Sequence, residues 1–461
     1  MLLGLASMAA GHARYVFLFI GDGMGTAQVN GTEAYLAALE GRIGTSPLCF
    51  ASFPHSAFIT TQSGSHGVTD SAAAATALAT GTKTYNGALG VSLDTLALAS
   101  VADWAHRAGA AVGVGTTVTI DHATPSAFYA HVPYRSMTDR IDEQLAASTL
   151  DFAAGSDVAK PSADCYQALE GAGFGILRGV ADYNKVRRQA RRLLLLQPET
   201  AQRRSSGSLP YAIDRQPGDL TLANICRAAV DYLAGFERKK RSERRKGFFL
   251  MLEGGSIDHA CHANDAGAAF REVCDMDEAV RVAYDFYLKH PEETLIVVAA
   301  DHETGGLVLG RGHYSQHLQY LQYQKMSAEA YTHHVGQLRQ TLGDGFTWEL
   351  VRSDISRNWG LGAEVPLTEK QEQRLRKAYD DIMSGVAEES RSLYAVENAL
   401  ANTAKQILNE RAEVSWATGS HSNSYVPCFA IGAGAELFHG RMDNTDIPKA
   451  IARAAGWEIT Q

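Results

Sequence analysis

Apolar runs that stop abruptly at acids and glycines are the most regular signal along the chain. Positions 15–20 run into Gly21-Asp22-Gly23-Met24-Gly25, positions 247–252 into Glu253-Gly254-Gly255, and positions 294–300 into Asp301-His302-Glu303. Short runs without polar alternation are the pattern of strands buried on both faces, and the glycines break them. Positions 57–62, 111–117 and 427–433 read as further core strands, whereas 137–154, 220–237 and 266–289 read as helices. Strands interleaved with helices imply an α/β fold: a three-layer sandwich with a central, mostly parallel sheet. A long, polar, mostly helical insertion, including helices over 369–383 and 393–411, occupies about 310–412. No repeat or low-complexity tract interrupts the pattern.

In open α/β sheets, sites gather at the carboxyl ends of strands, so Asp22, Glu253, Asp301 and His302 can converge although they are far apart in the chain. Asp258 and His262 lie four apart and share a face if that segment is helical, which pairs an oxygen with a nitrogen donor, as zinc requires. With 16 histidines such a pair arises easily by chance. Recurrence of acids at three strand ends argues against chance. The glycine loop at 21–25 also resembles a nucleotide-binding turn, but Thr26 stands where a third glycine is needed, and Asp22 would repel a pyrophosphate.

A candidate nucleophile precedes the alanine-rich run 72–80, a strong helix former with Gly81 as its stop. Thr69, Asp70 and Ser71 then sit at a helix N-terminus, where free amides and the helix dipole favour an anion. An N-cap is the ordinary fate of such residues. The uniformly small helix behind them suits close packing beneath a site.

These segments together resemble the alkaline phosphatase family. The resemblance rests on Gly21-Asp22-Gly23-Met24-Gly25, Asp70-Ser71-Ala72-Ala73, Ala123-Thr124-Pro125 leading to Ala130-His131-Val132-Pro133-Tyr134-Arg135, the stretch 253–262, Asp301-His302-Glu303-Thr304-Gly305-Gly306, and Thr418-Gly419-Ser420-His421-Ser422. It implies two Zn2+ and one Mg2+ per chain. Asp22, Asp301 and His302 would hold the zinc beside the nucleophile Ser71, and Asp258, His262 and His421 the other. Asp22, Thr124 and Glu253 would hold magnesium. Arg135 would clamp phosphate and Asp70 would orient it. The reaction implied is hydrolysis of small phosphate monoesters through a phosphoseryl intermediate. Such chemistry needs an activated hydroxyl, a bidentate cation and charge stabilisation, which these residue types can supply. His122 and His259 depart from the best-known bacterial pattern and resemble animal members. Imidazoles there raise the option of zinc at the third site, although the plainer expectation is that both tune water and phosphate from outside the metal's own ligands.

Composition narrows the rest. A chain of 461 residues that is 45% hydrophobic can bury a large core, and motifs from both ends must meet, so residues 14–461 are expected to form one catalytic domain. The net charge of -9 and the lack of a basic stripe argue against a nucleic-acid partner. Arg187-Arg188 and Arg191-Arg192 precede four leucines, too few to anchor a chain in a membrane, and no stretch is long enough to span one. The basic run 237–246 reads as a solvated helix end, and His313, His317, His333 and His334 as ordinary histidines. Residues 1–13 resemble a signal peptide lacking its basic start, so a periplasmic or secreted protein is expected. Six cysteines fit an oxidising compartment without revealing a pairing, and a homodimer is expected from the family. A diesterase or mutase, a sulfatase, and an inactive metal-binding protein are the alternatives. Arg135, the absence of a Cys-x-Pro-x-Arg segment, and the complete set of ligands speak against them in turn.

Overall fold

Ten strands join in one sheet in the computed structural model, which describes residues 12–205, 207–238, 246–312, 314–386 and 389–460. In chain order the strands are β1 (Tyr15–Gly21), β2 (His55–Thr60), β3 (Ala111–Thr116), β4 (Phe152–Gly155), β5 (Phe174–Arg178), β6 (Arg192–Leu196), β7 (Phe248–Gly254) and β8 (Thr294–Ala300). Six short ones follow: β9 (Glu303–Thr304), β10 (Leu307–Leu309), β11 (Ser390–Arg391), β12 (Val396–Glu397), β13 (Val414–Trp416) and β14 (His421–Ser422). Last come β15 (Val426–Gly432) and β16 (Gly440–Asp443). The large sheet has the order β16-β2-β15-β8-β1-β7-β3-β4-β6-β5, and within it only β15 runs against its neighbours. Helices surround it, giving the expected three-layer α/β architecture.

Every residue of β1, β7 and β8 is buried, which is why these segments lack polar alternation. Their parallel register sets Gly21 opposite both Gly254 and Ala300. Asp22 and Asp301 therefore leave the sheet at the same level, and Glu253 lies one position earlier on β7. Three strand ends thus deliver three acids to one point.

Two expected elements need correction, and one strand was not foreseen. The helix expected over 137–154 is only Thr138–Ala147; Ser148 adopts an extended backbone, and the apolar residues beyond it form β4. Asp151 fixes that switch, since its carboxylate accepts a hydrogen bond from the Val112 amide of β3. The four leucines at 193–196 are the buried body of β6. In the insertion the expected helix over 393–411 begins only at Ala399, where Asn398 caps it by accepting from the Ala401 amide, and 396–397 belong to β12. The helix Glu369–Ser384 matches expectation closely.

The insertion packs around a second apolar core that includes Tyr331, Ile355, Trp359, Leu375, Leu400 and Ile407. Within it His334 lies 3.0 Å from the Asp354 carboxylate, and the His317 ring packs on Tyr320. Residues 2–10, 239–245 of the basic run, and His313 lie outside the described residues. No helix among the described residues is long and apolar enough to cross a membrane. All six cysteines are free thiols, Cys261 included.

Candidate active site

The short helix Ser256–His262 follows β7 directly and puts Asp258 and His262 on one face, with His262 Nε2 3.3 Å from Asp258 Oδ2. His421 joins them from β14. That strand pairs antiparallel with β9, His421 opposite Thr304, which carries the imidazole across the chain to within 3.1 Å of His262 Nε2 and 3.7 Å of Asp258 Oδ1. Both imidazoles are aimed from behind: Nδ1 of His262 bonds the Gly419 carbonyl, and Nδ1 of His421 the Thr69 carbonyl. Such outer partners fix ring orientation and leave Nε2 pointing inward.

Beside this cluster, His302 Nε2 lies 3.2 Å from Asp22 Oδ1 and 3.3 Å from Asp301 Oδ2. Asp301 Oδ1 is held by the amides of Gly23 and His302, so Oδ2 is the oxygen left facing inward. Gly23 has φ +72°, and a Cβ there would stand 2.9 Å from Asp258 Oδ1, so the turn after β1 requires glycine. A third cluster joins Asp22 to Glu253 and His122, with His122 Nδ1 3.9 Å from Glu253 Oε1; Thr116 donates to the other Glu253 oxygen. In each cluster the donor atoms lie within 4.8 Å of one another.

Ser71 opens the helix Ser71–Thr80, every residue of which is buried, and its Oγ is 3.2 Å from His302 Nε2. Asp70 is the N-cap: Oδ1 accepts from the Ala73 amide, while Oδ2 accepts from the Gly87 amide and lies 3.6 Å from Arg135. Arg135 also reaches His122 Nε2 at 3.1 Å. Asp22, Asp70, Ser71, His122, Arg135, Glu253, Asp258, His262, Asp301, His302 and His421 therefore meet in one place, with the His259 ring 5.9 Å from that of His122 and Thr124 bearing on Glu253.

Four carboxylates, Asp22, Glu253, Asp258 and Asp301, are wholly buried there. Burial, then Asp301, Asp258 and Glu253, push Asp22 well above the ordinary carboxylate range, and burial pushes Glu253 up to about 7. Burial likewise raises Asp301. Asp258 moves the other way, because His262, His302 and His421 outweigh its burial. Burial holds His302 and His122 well below the usual imidazole range, and His259 at about 4. Both carboxylate oxygens of Asp22, Oε1 of Glu253, Oδ2 of Asp258 and Asp301, and Oγ1 of Thr124 are buried without a hydrogen-bond partner. Buried acids facing one another and lacking donors are costly unless cations lie between them. Mixed oxygen and imidazole sets fit zinc, and an all-oxygen set fits magnesium.

Sequence reasoning missed Tyr394, whose ring stacks on His259 with centroids 3.7 Å apart. A lone tyrosine in a polar insertion gives no signal of this kind. Thr304 was visible only as part of a motif, yet its hydroxyl donates to Asp258 and touches His302 Nδ1 at 3.2 Å.

The alkaline phosphatase family model matches residues 13–162 and 205–457. The chain belongs to that family. It is 29% identical to alkaline phosphatase 3 of Bacillus subtilis over 456 residues, covering 96% of this chain and 89% of the relative. Among solved structures it is similar to the cold-active alkaline phosphatase of a psychrophilic Shewanella species (TM-score 0.80, 27% identity, 96% of this chain and 99% of that one). The Thermus thermophilus alkaline phosphatase is similar too (TM-score 0.77, 28% identity, 100% of this chain and 96% of that one). Metal-dependent hydrolysis of phosphate monoesters follows at the level of the family.

Proposed function

We propose that residues 14–461 form one catalytic domain, with its insertion at about 310–412, that hydrolyses phosphate monoesters through a phosphoserine on Ser71. Two Zn2+ would be held by Asp22, Asp301 and His302 and by Asp258, His262 and His421, and one Mg2+ by Asp22, Thr124 and Glu253. The observation that carries this reading is the set of buried, unpartnered oxygens on those residues. When bound, the ions supply the positive charge that keeps Ser71 Oγ deprotonated and balances the attacking and leaving oxygens. Ser71 Oγ attacks phosphorus, the ester oxygen departs with its alcohol, and water then releases inorganic phosphate and restores Ser71. Arg135 binds two non-bridging oxygens as a planar fork, held in place by Asp70. The N-terminus of the helix Ser71–Thr80 adds its dipole to the binding of that anion.

His122 borders the third site: its Nε2 meets Arg135, and its Nδ1, buried without a hydrogen-bond partner, faces Glu253 Oε1 at 3.9 Å, so magnesium would rest on the all-oxygen set of Asp22, Thr124 and Glu253, whereas zinc would draw on the imidazole as well. A periplasmic or secreted location and a homodimer belong to the same proposal. The exposed Phe58 and Tyr425 rings, 6.2 Å apart where β2 and β15 pair, are a surface that supports association.

Metal analysis combined with monoester and diester assays tests the reading. Two zincs per chain should survive dialysis, added magnesium should activate, and Arg135→Ala should harm monoester turnover more than diester turnover. Equal loss on both substrates, or protein free of zinc that still turns over, contradicts it.

A further inference from the structure

A single hydroxyl touches both histidine-bearing clusters. Thr304 Oγ1 donates to Asp258 Oδ1, a member of one cluster, and lies 3.2 Å from His302 Nδ1, a member of the other. The residue is wholly buried and its backbone is held on three sides. Its amide donates to the Gly23 carbonyl, its carbonyl accepts from Gln28 Nε2 at 2.7 Å, and it pairs with His421 across β9 and β14. The preceding Glu303 fastens the same strand, accepting from Gln28, the Gly306 amide and the Ser422 hydroxyl. The left-handed turn at Gly23 makes the room, since a Cβ there would stand 2.9 Å from Thr304 Oγ1 as well as from Asp258 Oδ1.

A hydroxyl has one proton to give and can accept others, whereas a carboxylate that ligates zinc is ionised and only accepts. Asp258 therefore takes the Thr304 proton, and the second contact is His302 Nδ1–H donating to Thr304 Oγ1. That leaves His302 Nε2 as the bare nitrogen, and it faces Asp22 Oδ1, Asp301 Oδ2 and Ser71 Oγ at 3.2, 3.3 and 3.2 Å. On Asp258 the same hydroxyl takes up Oδ1, while Oδ2 stays without a hydrogen-bond partner, 3.3 Å from His262 Nε2. His262 and His421 rest on the carbonyls of Gly419 and Thr69, each of which holds a single ring. Thr304 differs in holding one ligand of each cluster. We infer that Thr304 is a positioning residue shared by the two zinc sites: its hydroxyl orients Asp258 and His302 together, so that losing it weakens both sites at once.

This inference rests on the proposed zinc sites, and zinc affinity separates the two. Competition with a chromophoric chelator reads the dissociation constants of both zincs in wild type, Thr304→Val and Thr304→Ser, and the visible spectra of the cobalt-loaded proteins read the geometry of the sites. Thr304→Val keeps the shape and removes the hydroxyl. Both zincs should then bind roughly tenfold or more weakly, the usual effect of losing an outer partner, and the cobalt bands should shift. Thr304→Ser retains the hydroxyl and should keep most of the affinity at both sites. If the valine variant does not fold, Thr304→Ala takes its place with the same expectation. Weakening at one site only, or a serine variant as weak as the valine one, would overturn the inference. Two zincs held equally tightly by wild type and Thr304→Val would overturn it too and leave the proposed sites intact. A wild-type protein that binds no zinc would sink those sites and the inference with them.

Discussion

At the carboxyl ends of β1, β7 and β8, the protein buries Asp22, Glu253, Asp258 and Asp301 with both oxygens of Asp22 and one oxygen of each of the others lacking a hydrogen-bond partner. The insertion buries Tyr331, Ile355, Trp359 and Leu375 instead, and the charges of its deeply buried Lys405–Glu397 pair cancel, although Oε1 of Glu397 has no hydrogen-bond partner. The strand-end cluster is in electrostatic debt to ions that must come from outside, whereas the insertion is held by its own apolar contacts. Removing cations should therefore loosen one region and spare the other. The two regions meet at the Tyr394 hairpin and at the segment after His262.

Chelation should give the largest contrast. Stripping the metals should abolish turnover by orders of magnitude and speed hydrogen exchange across 253–262 and 300–304, while the core around Tyr331 and Trp359 keeps its protection. Equal loosening of both regions would erase the distinction. A smaller effect is expected from within the insertion. Lys405→Met leaves the Glu397 carboxylate buried without its partner, which should cost roughly 3–5 kcal/mol in denaturant unfolding. Replacing both residues by apolar ones should recover most of that, because a matched buried pair contributes little over a hydrophobic pair of similar size.

The smallest effect is one of pH, and its sign differs between the regions. Burial, with Asp214 nearby, pushes Glu329 of the helix Ala328–Leu342 up to about 7 from an ordinary value of 4.5. The folded state thus holds an extra proton between those values. Its contribution to stability is full below about 4.5, falls as pH rises to about 7, and is flat beyond. Protection factors in this helix, corrected for the intrinsic pH dependence of exchange, should accordingly be higher near pH 5 than near pH 8, and Glu329→Gln should flatten the trend. Acid should act oppositely on the strand-end cluster, because ligands must be deprotonated to hold cations. A helix with lower protection factors near pH 5 than near pH 8 would contradict the assignment to Glu329.

The same contrast explains what could be read from the chain. Strands β1, β7 and β8 were legible because burial on both faces forces uninterrupted apolar runs, and their acids were legible because each directly follows such a run. The pairing of Asp258 with His262 follows from helical spacing alone. His421 and Thr124 have no such local signal, and only the family resemblance singled them out. β4 and β6 escaped notice for the same reason that the others were found. Four or five apolar residues carry too little period to separate a short buried strand from the end of a helix, as at 137–154. Tyr394 was invisible because its ring partners, His259 and His262, lie more than a hundred positions away and no pattern in its own hairpin announces them.

The central claim is that Ser71 is the group to which phosphate is transferred, and acid quench of the enzyme turning over a labelled monoester tests it most directly. Peptide mapping should place phosphoserine at Ser71, and Ser71→Ala should lose both the label and the turnover by orders of magnitude while keeping its metals. Phosphate recovered on another residue, or undiminished turnover by Ser71→Ala, would contradict the account.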